Sequence, residues 1–241
     1  MKKGFTLAEV LITLAVIGVV AALTIPVLVQ KYQKKQLYSQ FMKAYNTIST
    51  MMDNAVAENG DIQNWKWGKI VEDDETGEAR IEGSEDPISK YILPQIKYVK
   101  KCDKMADCFG TGYTYLNGKD GSSPEHPEDT LTNALVEADN DDINQYTTVV
   151  LADGTVISMI GDKDAVNFLI DTNGKKGPNV QGRDYFNMYY ESEKYDHPGL
   201  YFIAEWDPNG PNGDNCNPNS NSEYAGDGCE SRLLQEGAMN Y

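Results

Sequence analysis

Twenty consecutive residues, Val10 to Val29, carry no charge, and only Thr13, Gly18, Thr24 and Pro26 interrupt the aliphatic run. A hydrocarbon core of ~30 Å takes about 20 helical residues at ~1.5 Å each, so the run predicts a membrane-spanning helix. Phe5, Leu7 and Ala8 extend its apolar surface toward the N-terminus. Buried helices of soluble domains rarely run so far without a charge. A cleavable secretory signal would be followed by a polar, small-residue region, whereas Pro26-Val27-Leu28-Val29 leads into further helical sequence. There the pattern changes: Leu37, Phe41, Tyr45, Ile48, Met52 and Val56 recur at gaps of 4, 4, 3, 4 and 4 and mark one helical face, widened by Ala44, Met51 and Ala55. Glu58-Asn59-Gly60-Asp61 is the predicted stop, with Gly60 or Asn59 available for a left-handed cap. Residues 5–58 therefore predict one helix about 80 Å long. Its first half belongs in lipid or a filament core, and its second half packs on a sheet. Pro26 is expected to bend or locally open it. A coiled-coil stalk satisfies the same periodicity, but the stripe is short and its Phe and Tyr suit a globular core at least as well.

Beyond residue 60 the apolar segments are short. Tyr146–Leu151 and Thr155–Ile160 flank Ala152-Asp153-Gly154 and predict a β-hairpin. Val166–Asp171, ending at Asn173-Gly174, and Tyr201–Trp206 predict further strands. Three or four antiparallel strands give the helix stripe a surface to cover, which makes the fold class α+β, a long N-terminal hydrophobic helix on a small antiparallel head with long loops. Tyr91–Val99 reads as a short helix or an extended packing segment around Pro94. Residues 72–86, with eight acids in fifteen positions, are expected to form a solvated loop. A second acidic excursion, 119–142, offers a weak helix around Leu131–Ala138. No repeat and no second apolar core announces a further domain.

Charge separates the two parts. The net charge of −16 divides into +5 over residues 1–52 and −21 over residues 53–241. A head at −21 excludes nucleic-acid docking through its general surface, because such docking is mostly phosphate neutralisation by Lys and Arg. Lys2 and Lys3 on one side of the apolar run and Lys31, Lys34 and Lys35 on the other leave its direction weakly specified. Four Cys in an acidic, Asn/Gly-rich head suit an oxidising exterior, which places the N-terminus in the cytoplasm and the bulk outside. Cys102 and Cys108 enclose five residues, and Cys216 and Cys229 enclose twelve. Of the three full pairings, closure cost favours these two local bridges, each worth ~2–4 kcal/mol; other pairings and free thiols are the alternatives.

Chemistry-bearing constellations are sparse. Zinc is disfavoured: close Cys pairs are missing, and His126 and His197 each precede Pro in separate loops. Asp171 and Asn173 before Gly174, and Asp207, Asn209, Asn212 and Asp214 in a Gly/Pro-rich turn, have calcium-like oxygen spacing. The first lacks the later carboxylates of an EF-hand and reads better as a side-chain-stabilised turn; calcium is kept as a candidate, and no other cofactor is expected. Nucleophile-elbow, phosphate-loop and zinc-protease signatures are missing, so no enzyme is expected. Trp65, Trp67 and Tyr189-Tyr190 are candidates for a binding patch, and a membrane-anchored surface adhesin is the alternative reading from another class. Glu9 stands out: a carboxylate in lipid costs ~3 kcal/mol on insertion scales, and no Lys or Arg follows residue 3 at that depth. Its cationic partner has to come from another molecule, unless the side chain snorkels to the headgroups.

The segment Lys2-Lys3-Gly4-Phe5-Thr6-Leu7-Ala8-Glu9-Val10-Leu11-Ile12 resembles the cleavage and methylation signal of type IV prepilins and of the pseudopilins of type II secretion. The resemblance implies a prepilin peptidase and N-methyltransferase that cuts between Gly4 and Phe5 and methylates Phe5. It implies that Glu9 pairs with the terminal amine of a neighbouring subunit. Gly18 and Pro26 match places where such stems carry helix-weakening residues. The implied organisation is a leader at 1–4, a transmembrane and filament-core helix at 5–29, its amphipathic continuation at 30–59 and an extracytoplasmic acidic head at 60–241. Asp171 to Phe186, with its Asp-Thr-Asn-Gly turn and Gly-Pro-Asn loop, also resembles a recurrent head segment of pilin-like proteins. Such heads often close a C-terminal loop by a disulfide, a role for Cys216 and Cys229. The expectation is a minor pilin-like subunit of a type IV pilus or related filament, with other pilins and an inner-membrane assembly platform as partners; the alternative is a type II secretion pseudopilin.

Overall fold

The N-terminal periodicity resolves into one helix, α1 (Leu7–Asn59), of 53 residues. The structure, a computed structural model, describes residues 4, 6–67, 69–72, 79–82, 86–120, 146–161, 163–195, 198–202, 215–222 and 224–241. Phe5, the segments 73–78 and 83–85, the stretch 121–142 with His126, His197, the strand positions 203–206 and the loop 207–214 lie outside the described residues. Thr6 caps α1 in an extended conformation, and the helix ends at Gly60, whose φ of +77° is strained for a side-chain-bearing residue and whose N–H donates to Val56. The helix is continuous through Gly18 and Pro26. Pro26 has no N–H for the Ala22 carbonyl, which opens the ladder locally. The Thr13 and Thr24 hydroxyls donate back to the carbonyls of Val10 and Val20, both at 2.9 Å, and so hide their polarity within an apolar surface.

The two halves of α1 meet different surroundings. Large apolar side chains from Leu7 to Val29 point outward, 42% to 78% exposed. From Phe41 the stripe turns inward, and Phe41, Ala44, Ile48, Met51, Met52 and Ala55 are buried. They cover a six-stranded antiparallel sheet in chain order: β3 (Lys100–Cys102), β4 (Thr147–Val150), β5 (Val156–Gly161), β6 (Ala165–Asp171), β7 (Tyr185–Glu191) and β8 (Gly199–Tyr201). Strands β1 (Lys69–Glu72) and β2 (Ala79–Glu82) form a separate antiparallel pair, with Ile70 opposite Ile81. This corrects the expectation of a loop at 72–86 for Ala79–Glu82, which pairs as a strand; the rest of that stretch, 73–78 and 83–85, lies outside the described residues.

Register aligns one row of side chains under the helix. Val149 lies opposite Ile157, Ile157 opposite Ile170 and Ile170 opposite Phe186, while Phe168 joins Met159 to Met188. Phe41 packs on Phe186 with ring centroids 4.7 Å apart. The alternate residues face the other way. Val156, Leu169 and Tyr185 form a second cluster with Met105, Phe109, Tyr113 and the Cys102–Cys108 bridge. The sheet is therefore covered on both faces, by the stem and by the loop after β3.

Two segments, β7 and the Trp65–Trp67 pair, differ from expectation, and Tyr91–Val99 agrees with the short-helix reading. Strand β7 is central, yet its residues Tyr185-Phe186-Asn187-Met188 pack on both faces and so lack a polar–apolar alternation. Tyr91–Val99 follows a wide helical turn, Ile88–Ile92, that tightens at Leu93–Gln95 and leads into β3. Trp65 is buried and Trp67 half-buried, so they form no surface patch; their indoles donate to Gly60 and Ile62 carbonyls at 2.9 and 2.7 Å and close the end of α1. A C-terminal helix, α2 (Cys229–Glu236), completes the head.

Since Phe41 is fully buried against Phe186, Phe41→Ala is expected to destabilise the head by about 3–5 kcal/mol. Tyr32→Ala, at an exposed stem position, is expected to stay within about 0.5 kcal/mol. Denaturant unfolding of the detergent-solubilised chain, followed by near-ultraviolet circular dichroism, measures both.

Candidate assembly site

The start of α1 is built by two side chains. The Thr6 N–H and hydroxyl both donate to Glu9 Oε2 at 2.8 Å, and the Glu9 N–H donates to Thr6 Oγ1 at 3.3 Å. This reciprocal capping box satisfies donors that a helix start otherwise leaves open, in a region where water is scarce. The signal was present as Thr-x-x-Glu, although Thr6 carries no role in the reading of Glu9 above. Both bonds fall on Oε2, and Glu9 Oε1 takes no bond from a described residue. The side chain is thus oriented by its own helix and exposed, with Oε1, among the described residues, open to a cation. Gly4 is exposed just before the cap.

Where the stem enters the head, Lys43 pairs with Asp153 at 2.5 Å, tying α1 to the β4–β5 hairpin. Burial pushes the Asp153 carboxyl up, but its bonds to Lys43 and Thr155 outweigh this and hold it below the ordinary carboxylate value.

The loop after β6 is pinned from within. Asp171 accepts the Tyr113 hydroxyl at 2.5 Å and the Asn173 N–H at 3.0 Å. Asp184 accepts the Asn173 amide at 2.9 Å and the Asn179 and Val180 N–H groups at 2.8 and 2.7 Å. Asp171 and Asn173, singled out for their spacing, thus serve as turn-forming acceptor and bridge; Asp207, Asn209, Asn212 and Asp214 lie outside the described residues. Burial raises both carboxyls, Asp171 to about 6, despite the bonds they accept. The segment's far end meets the second bridge, Cys216–Cys229: a Cβ on Gly182, at φ +79°, would stand 2.8 Å from Cys229 Sγ.

Glu230 of α2 is a functional acid of the scaffold that carried no sequence signal. Its carboxylate accepts the Asn187 N–H at 3.1 Å, on the stretch of β7 that β8 does not pair. Tyr189 and Tyr190, the remaining patch candidates, are half-buried; the Tyr189 hydroxyl accepts the Asn167 and Asn187 amides at 3.2 and 3.3 Å and its ring lies tilted to Tyr201 at 5.6 Å, while Tyr190 packs on the core under the stem.

Burial pushes Glu230 up to about 8, with the neighbouring Asp227 charge adding to the shift, and burial raises Asp227 itself to about 6. Tyr185 and Tyr241 also face Glu230, and neither brings a positive charge. A carboxyl whose folded value is raised binds its proton more tightly in the folded state. Its stabilisation is complete below the ordinary value of 4.5 and is lost as pH rises through about 8. The melting temperature of the head is therefore expected to fall between mild acid and mild alkali, with Glu230 contributing up to about 1.4 kcal/mol per pH unit. In calorimetry, Glu230→Gln should remove the slope between about pH 6 and 8 and leave the part that Asp171 and Asp227 contribute below about 6.

Comparison with known proteins adds two matches. Residues 27–209 match a family of unknown function, DUF6613, and residues 1–25 match the prokaryotic N-terminal methylation motif. No curated protein and no solved structure matches the chain. The motif, the long apolar helix and the antiparallel sheet together make this a type IV pilin-like protein with an α+β layout.

Proposed function

The chain belongs to DUF6613, and from its pilin-like N-terminus we propose that it is a minor pilin-like structural subunit of a type IV pilus or related filament. The observation that carries this reading is the outward-facing apolar half of α1, which starts at the methylation motif and ends where the head begins. Such a surface is stable in lipid and equally stable against other stems, so one helix serves first as a membrane anchor and then as a filament core. The N-terminus lies in the cytoplasm and the head outside the inner membrane. A prepilin peptidase cuts between Gly4 and Phe5, and methylation of Phe5 follows. Cleavage creates an amine at Phe5, and Glu9 of an adjoining subunit meets it with its open oxygen. At ~4 Å and an effective dielectric of 20 such a pair attracts by ~4 kcal/mol, offset in part by desolvation.

The acidic head supports a minor or tip-adjacent position, since a repeating shaft would bring many like charges together. A pseudopilin of a type II secretion system would use the same stem and signal. Neighbouring genes for a secretin with secretion machinery, or for a pilus with retraction motors, separate these two.

Intact mass of the membrane-extracted protein should show loss of Met1 to Gly4 and one added methyl group; a mature chain starting after the apolar run would overturn the processing. Glu9→Gln keeps the capping box while deleting the charge. It is expected to insert, be cut and fold normally, yet to be depleted from filament fractions relative to total membrane protein, and equal incorporation would reject the charge pair.

A further inference from the structure

The sheet ends, on the side away from β8, in β3, which pairs with β4 alone among the described strands. This edge is chemically unlike the rest of the head. Residues 88–104 hold Lys90, Lys97, Lys100, Lys101 and Lys104 against one acid, Asp103, whereas residues 53–241 together hold 36 acids and 15 bases. Lys97, Lys100, Lys101 and Lys104 are exposed. Among the described residues Lys100 and Lys101 bond neutral acceptors, the Asp107 carbonyl at 3.2 Å and the Ser89 hydroxyl at 3.1 Å. Among these cations stand Tyr98 and Val99, 41% and 68% exposed. With Tyr224 they are the exposed large apolar side chains of the head among the described residues.

Lysines on an edge strand are a common guard against edge-to-edge pairing, and that explains Lys100 and Lys101 in part. It leaves Tyr98 and Val99 unexplained, because a strand shielded from every partner gains nothing from an aromatic and a β-branched side chain held in water at its entrance. The combination is selective. Two copies of this edge brought together would set lysines against lysines and repel. A strand carrying carboxylates would be attracted, its one face meeting Lys100 and its other Lys101, and its apolar side chains would meet Tyr98 or Val99. The edge is also held in shape, since Cys102 closes β3 through its bridge to Cys108 and the Val99 N–H donates to Val150 at 2.8 Å. A fixed edge loses less conformational freedom when a partner docks.

We infer that the β3 edge, entered through Tyr98 and Val99, is a docking surface for an extended acidic polypeptide segment, which adds to the sheet as a further strand. The surface lies on the head and does not depend on the stem, so it is tested apart from filament incorporation.

The probe is a fluorescein-labelled octapeptide of alternating Glu and Val, titrated against the full-length protein in detergent micelles by fluorescence anisotropy. Two further versions carry backbone N-methyl groups on the Glu or on the Val residues. The expected result is saturable binding that is abolished by one N-methyl pattern and kept by the other, because an added strand turns alternate N–H groups toward its neighbour. Lys100→Glu with Lys101→Glu should weaken binding about tenfold and admit a Lys–Val octapeptide instead. Val99→Ser, with both lysines kept, should also weaken it, so the apolar part is tested even where the charge reversal disturbs the strand. Lys31→Glu with Lys34→Glu should leave binding unchanged. Failure of the wild-type protein to bind, equal loss in the Lys31/Lys34 variant, or insensitivity to both N-methyl patterns would overturn the proposal.

Discussion

A single continuous helix has to satisfy two solvents, and the rest of the molecule follows from that constraint. Between Leu7 and Val29 the outward apolar surface of α1 is tolerable only in lipid or against other apolar stems. Between Phe41 and Ala55 the same backbone lays a buried stripe on the sheet. No loop separates the two, so any force on the stem is transmitted directly to the core of the head. The Lys43–Asp153 pair and the Trp65 and Trp67 indoles brace that junction along the side and at the end of the helix.

The opposite face of the sheet is stabilised differently. Its cover is made of loops, and loops hold position here through the Cys102–Cys108 bridge and buried carboxylates that accept backbone N–H groups, while Cys216–Cys229 joins the core under the stem. Such acids are costly to bury when charged, which is why their proton affinity rises. The head thus combines an apolar seam under the stem with a polar, proton-sensitive layer on its far side. That layer brings together residues remote in sequence: Tyr113 with Asp171, and Asn187 with Glu230.

Legibility in the sequence followed how local each cause was. The helix was readable because a charge-free run and a 3.6-residue stripe both lie within it, with Gly60 to end it. The hairpin of β4 and β5 was readable from Ala152-Asp153-Gly154 between β-branched runs. Strand β7 was not, because two covered faces erase alternation, and the β1–β2 pair was hidden by surrounding acids. Trp65 and Trp67 looked like surface candidates since nothing local shows that their N–H groups reach backbone carbonyls at the end of α1. Glu230 was silent for a related reason: its partner is a gap in the pairing of β7, a property of the sheet rather than of any motif. At the N-terminus, Glu9 was conspicuous by its charge, while the cap that orients it depends on Thr6, an inconspicuous residue three positions earlier.

The change of surroundings along α1 is the central claim, and site-directed spin labelling of the full chain in bicelles tests it most directly. All four Cys are in disulfides, so single introduced Cys residues from position 10 to position 56 can be labelled one at a time. The account predicts uniform access to lipid-dissolved oxygen from 10 to 29, without helical periodicity. From 41 onward it predicts a 3.6-residue period, with immobilised labels at 41, 44, 48, 51, 52 and 55. A 3.6-residue period already present between 10 and 29 would mean that the stem has its own protein-covered face in the isolated subunit, and would contradict the account.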